Sequence, residues 1–72
     1  MKPMKHLYGN TTLTEKEKKV TELVVMGYTN KAIARQFGTT ENMIKNRLRV
    51  VYDKLGVYSR LEVTLWYLKG GR

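Results

Sequence analysis

The 72-residue sequence has no cysteine, one histidine, one proline, and only six acidic residues against fourteen basic ones. Without cysteine there are no disulfides and no zinc-thiolate sites, so neither usual staple of a very small domain is available. That composition suits a reducing cytoplasm, the location expected for this chain. The lone His6 stands beside Lys5 near the N-terminus, where a metal centre or imidazole catalyst would have to be built around it alone. No metal and no cofactor is therefore expected. Apolar runs such as Leu23 to Met26 stop at four residues, too short for a transmembrane helix or the core of a signal peptide. Glu15, Glu17 and Glu22 have no nucleophile or second catalytic group beside them, and two of the three open a helix, where a carboxylate simply favours the dipole. Nothing in the set points to an enzyme, and no ligand pocket can be read from the sequence.

What is present is positive charge on one small domain. A chain this short buries only about 60% of its unfolded surface and supports a single core. Its formal charge is +8 and its pI about 10, a self-repelling balance that a polyanion would relieve. Nucleic acid is the first expected partner and an anionic membrane surface the second. The charge is concentrated: residues 27–60 carry Lys31, Arg35, Lys45, Arg47, Arg49, Lys54 and Arg60 against Glu41 and Asp53.

Residues 1–12 show no periodicity and read as a flexible N-terminal arm, 13–69 as the folded domain and 70–72 as a tail. Thr14-Glu15-Lys16-Glu17 forms a capping box and opens a helix over about 15–26, closed by Gly27. Thr29 caps a short helix over 30–37, ended by Gly38. Thr40 caps a longer one from Glu41 to Leu55, ended by Gly56. Ser59-Arg60-Leu61-Glu62 is a second capping box, opening a last helix that reaches about Lys69. Nothing reads as a strand pair, so the predicted fold is all-α: a compact four-helix domain.

The third helix carries the chemistry. At about 100° per residue, Ile44, Leu48, Val51 and Leu55 share one face, while Asn42, Lys45, Asn46 and Arg49 share the opposite one, with Met43, Arg47, Val50 and Lys54 on the flank. Arginine and lysine match guanine O6 and N7, and asparagine pairs both edges of adenine in a major groove. A short helix, a tight turn at Gly38 and a longer helix with an outward basic face is the helix-turn-helix arrangement, in which Ala34 permits close crossing. The first amides of helices 2 and 3, near Thr29 to Lys31 and Thr40 to Asn42, are available to phosphate oxygens.

Four ordered blocks now stand out: Leu13-Thr14-Glu15-Lys16-Glu17, Gly27-Tyr28-Thr29-Asn30-Lys31-Ala32-Ile33-Ala34, Ile44-Lys45-Asn46-Arg47-Leu48, and Lys54-Leu55-Gly56-Val57-Tyr58-Ser59-Arg60. Together they closely resemble the LuxR/GerE-type (NarL-type) helix-turn-helix DNA-binding domain of bacterial transcription regulators, over residues 13 to about 68. The resemblance implies sequence-specific binding of double-stranded DNA, with helix 3 in the major groove and helix 4 as a dimerisation surface. By position it makes Lys45, Asn46 and Arg49, joined by Asn42 on the same face, the base-reading residues, with Met43 and Arg47 lining the groove. Thr29, Asn30, Lys31, Thr40 and Lys54 match or adjoin the family's phosphate contacts. Departures are Ala32, Thr39, Met43 and Arg47, where the family often has Glu, a branched aliphatic, Thr and His. The family commonly joins this domain to a receiver or ligand-binding domain, so the chain reads as either a stand-alone regulator or an excised output domain.

Helix 4 has apolar residues on two sides. Val63, Trp66 and Tyr67 lie on one, with Val63 and Tyr67 assigned to the core. Leu61, Thr64, Leu65 and Leu68 lie on the other and are assigned to a homodimer contact. Trp66, Tyr67 and Tyr58 read as core or interface aromatics, since they do not follow a basic groove as a base-stacking platform would. The alternative function is a sigma-factor-like or phage-type protein that works through RNA polymerase contacts. Membrane-surface binding is disfavoured because the cations of helix 3 sit opposite its apolar stripe.

Overall fold

A computed structural model of the chain describes residues 13–70; the expected arm at 1–12, with His6, and the last two residues of the tail lie outside the described residues. Four helices follow one another: α1 (Glu15–Val25), α2 (Asn30–Phe37), α3 (Glu41–Leu55) and α4 (Arg60–Leu68). Among the described residues there is no strand, and no helix is long and apolar enough to cross a membrane.

Each helix begins where a hydroxyl can accept from its N3 amide. The Thr14 hydroxyl accepts from the Glu17 amide at 3.1 Å and the Glu17 carboxylate accepts from the Thr14 amide at 2.9 Å, which closes the capping box. Thr29 and Thr40 accept from the Ala32 and Met43 amides, each at 3.1 Å. At α4 the second expected box forms only by half. The Ser59 hydroxyl accepts from the Glu62 amide, but the Glu62 carboxylate reaches one residue further back, to the Tyr58 amide at 2.5 Å. Helices α1 and α4 each end one residue earlier than the periodicity predicts, within the fraying expected of helix ends.

The turn of the helix-turn-helix is closed by a Schellman motif. Thr39 N donates to Ala34 O at 2.9 Å and Gly38 N to Arg35 O at 3.3 Å. Gly38 stands at φ 67°, ψ 38°, a left-handed conformation that costs a side-chain-bearing residue more than glycine. Backbone bonds therefore close the turn.

The core is continuous in two parts. Val20, Leu23, Val24, Ile33, Ala34, Ile44 and Leu48 bring α1, α2 and α3 together, and Val51, Leu55, Val57 and Val63 fix α4 and its preceding loop to the end of α3. Tyr52 packs against both. The α3 stripe of Ile44, Leu48, Val51 and Leu55 is wholly buried, so the opposite face of α3 must point outward.

Candidate nucleic-acid interface

Burying that stripe fixes what α3 shows to solvent. Asn42, Lys45, Asn46 and Arg49 are all exposed along one face, with no acid among them before Asp53, which follows one turn after Arg49 on the same face. Lys45 and Arg49 line an open groove of about 760 Å³ together with Asn30, at the start of α2, and with Tyr52, Asp53 and Tyr58; the Tyr58 ring is exposed there and not part of the core, which corrects its reading as an aromatic away from the basic groove. The short crossing of α2 over α3 brings Asn30 there from outside the helix. Lys31 is exposed on α2, and Thr29 and Thr40 are exposed caps whose hydroxyls are already engaged with their own helices. The first two amides of each helix, at Asn30 and Lys31 and at Glu41 and Asn42, precede the first in-helix donors, Ile33 to Thr29 and Ile44 to Thr40. Such amides have no intrahelical acceptor.

Other residues of α3 have surroundings that the sequence does not show. Met43 is exposed on the flank, whereas Arg47 is half-buried and its Nε is enclosed without a hydrogen-bond partner. Its stem belongs to the packed side of α3 more than to the groove. Lys54 turns away from the groove: its Nζ lies 2.7 Å from Glu17 Oε1, on α1. Glu17 is buried, and the same oxygen accepts from the Thr14 amide. Burial pushes its carboxyl pKa up, but the Lys54 hydrogen bond and charge and the Thr14 bonds outweigh this and hold it below the ordinary carboxylate value. The local sequence marks Glu17 only as a cap, because its partner lies 37 residues away.

On α4, Val63 is fully buried, Trp66 and Tyr67 are half-buried, and Trp66 packs against the second part of the core. Leu61, Leu65 and Leu68 stand exposed on the other side, with relative exposures of 67%, 47% and 69%. Thr64 lies between the two sides, its hydroxyl donating to Arg60 O at 3.0 Å. No group of three or more potential metal ligands occurs among the described residues.

An exposed polar comb on α3, a short α2 crossing it through a glycine turn, and a fourth helix packed chiefly on α1 define a helix-turn-helix domain of the DNA-binding class. The chain belongs to the luxR family of bacterial regulatory proteins: the GerE model, described as "Bacterial regulatory proteins, luxR family", matches residues 11–67. It is similar to the transcriptional regulatory protein YdfI of Bacillus subtilis, 44% identical over 68 residues that cover 93% of this chain and 32% of YdfI. The transcriptional regulatory protein DesR of the same organism is 35% identical over 82% of this chain and 30% of its own length. The nitrate/nitrite response regulator protein NarL of Escherichia coli is 33% identical over 75% of this chain and 25% of its own length. The chain thus spans between a quarter and a third of these relatives. No solved structure gives a significant match.

Proposed function

We propose that this chain binds double-stranded DNA sequence-specifically as a transcription regulator, with α3 in the major groove. The observation that carries this is the acid-free row of Asn42, Lys45, Asn46 and Arg49, forced outward by the complete burial of the opposite stripe. These four side chains read base edges, with Met43 beside them and Arg47 contributing charge from the flank. Thr29, Asn30, Lys31 and Thr40, with the first amides of α2 and α3, hold phosphates and set the register. Lys54, a phosphate contact by the family resemblance, also pairs with Glu17 and so anchors α3 to α1.

Two copies pair through Leu61, Thr64, Leu65 and Leu68, presenting their α3 helices one DNA turn apart. The named relatives are regulators, which supports a cytoplasmic, non-enzymatic role. No observation favours the alternative of a sigma-factor-like or phage-type protein working through RNA polymerase. Selection from a random duplex pool tests the proposal: bound sequences should converge on a motif repeated at roughly 10 base pairs between half-site centres. A pool that stays random while the protein still binds would leave a non-specific DNA binder and overturn sequence-specific recognition.

A further inference from the structure

Arg60 opens α4, a position where a cation meets the positive end of its own helix and is disfavoured. It reaches out of that helix: Nη2 donates to Oδ1 of Asn30, the first residue of α2 and 30 positions earlier in the chain. Both residues are half-buried. The guanidinium lies close enough to Tyr52 for its charge to oppose the upward push that burial gives the phenol pKa. Asn30 and Tyr52 belong to the groove that Lys45 and Arg49 line. Arg60 therefore stands behind that groove's wall and bonds to one of its polar groups.

A carboxamide has an acceptor end and a donor end, whereas a guanidinium has donors only. With Oδ1 turned to Arg60, the end that Asn30 keeps for an outside partner is its NH2. The reverse orientation would set amide donors against guanidinium donors. We propose that Arg60 is a positioning residue for DNA contact: it holds the Asn30 carboxamide with its NH2 as the donor to a phosphodiester oxygen, and so ties α4 to the phosphate-contacting end of α2. This rests on the DNA-binding reading above.

A double-mutant cycle on a selected duplex and a random duplex tests it, with thermal unfolding of every variant. Arg60→Ala and Asn30→Ala should each weaken both duplexes about five- to tenfold, and the double variant should bind no worse than Asn30→Ala alone. Asn30→Asp keeps the acceptor for Arg60 but loses the donor and gains a negative charge. It should melt at or above the parent temperature while binding DNA at least as weakly as Asn30→Ala. Parent-like binding by this variant would overturn the proposal even if Arg60→Ala does not fold. A full further loss when Arg60→Ala is added to Asn30→Ala would mean that Arg60 touches DNA itself, and parent-like binding by Asn30→Asp would mean that Asn30 donates to nothing there. Either overturns the proposal. If the parent itself binds neither duplex at low salt, the DNA-binding reading is what fails; a parent that binds, matched by a folded Arg60→Ala, sinks the positioning role alone.

Discussion

Replacing Glu17 by glutamine should separate the two tasks its carboxylate performs. Oε1 accepts from the Thr14 amide at 2.9 Å and from Lys54 Nζ at 2.7 Å. Glutamine still fits the capping pattern, so the cap survives and the charge pair does not. At 2.7 Å and an effective dielectric of about 20, the Coulomb attraction is roughly 6 kcal/mol. Most of it is offset by drying the Glu17 side chain, which is 9% exposed, while Lys54 at 34% keeps part of its hydration. The net loss expected is about 1–2 kcal/mol, a fall in Tm of roughly 4–16 °C for a domain of this size. Glu17→Ala should cost about 0.5–1 kcal/mol more, because the cap is lost as well.

Thermal melts of Glu17→Gln, Lys54→Met and the double variant form the test, with the coupling energy as its readout. The acid limb gives a second one. The folded pKa of Glu17 lies below its ordinary value of 4.5, so the stabilisation is complete above that pH and drains away as pH falls from there through the lower folded pKa. Glu17→Gln should lack this limb of the stability curve. If the two single losses simply add, or if Glu17→Gln melts with the parent while Glu17→Ala does not, the ion pair is idle and only the cap matters.

Two further outcomes concern the DNA-facing parts. Arg49→Ala should cost about 1–3 kcal/mol on the best site and relax preference there, whereas Lys31→Ala should weaken all sequences alike and lower the salt slope by about one; proportionate losses from both would refute the division of roles. Gly38→Ala meets no atom within 4 Å of the added carbon, so its cost of about 1–2 kcal/mol is backbone strain alone, and a chemical melt indistinguishable from the parent's would refute the reading of the turn.

The parts of this domain that the sequence made legible are those decided within a few residues. Each helix start has a hydroxyl whose acceptor role is local, and the α3 core stripe follows from angular arithmetic because one buried face and one wet face leave no other solution. Ser59 and Glu62 mark the limit: the pattern names the residues, but the loop's path decides that Tyr58, rather than Ser59, gives its amide to the carboxylate. Glu17 with Lys54 and Asn30 with Arg60 lie 37 and 30 residues apart. Nothing local marks either pair, since each depends on how two helices meet. The exposed comb of the candidate site was thus legible, while the groove and the side chains that brace it were products of packing.

Charge and apolar surface set opposite demands on the proposed dimer. Leu61, Leu65 and Leu68 together offer a patch of roughly a few hundred Å², short of the roughly 800 Å² per partner of a standard stable interface. Each copy also carries +8, so two copies brought together repel until salt or a polyanion screens them. Self-association off DNA should therefore strengthen as salt rises, while DNA binding weakens, each phosphate contact contributing about 0.9 to the log–log slope. Duplex DNA escapes the conflict, because its phosphates neutralise the charge of both copies. Leu65, at 47% exposure, is not needed by the core, so Leu65→Asp should melt with the parent and keep its non-specific affinity. It should lose both the salt-promoted self-association, seen by sedimentation, and cooperative occupation of paired half-sites. A variant that unfolds would put Leu65 in the core, and one that still fills paired sites cooperatively would move the dimer contact off α4.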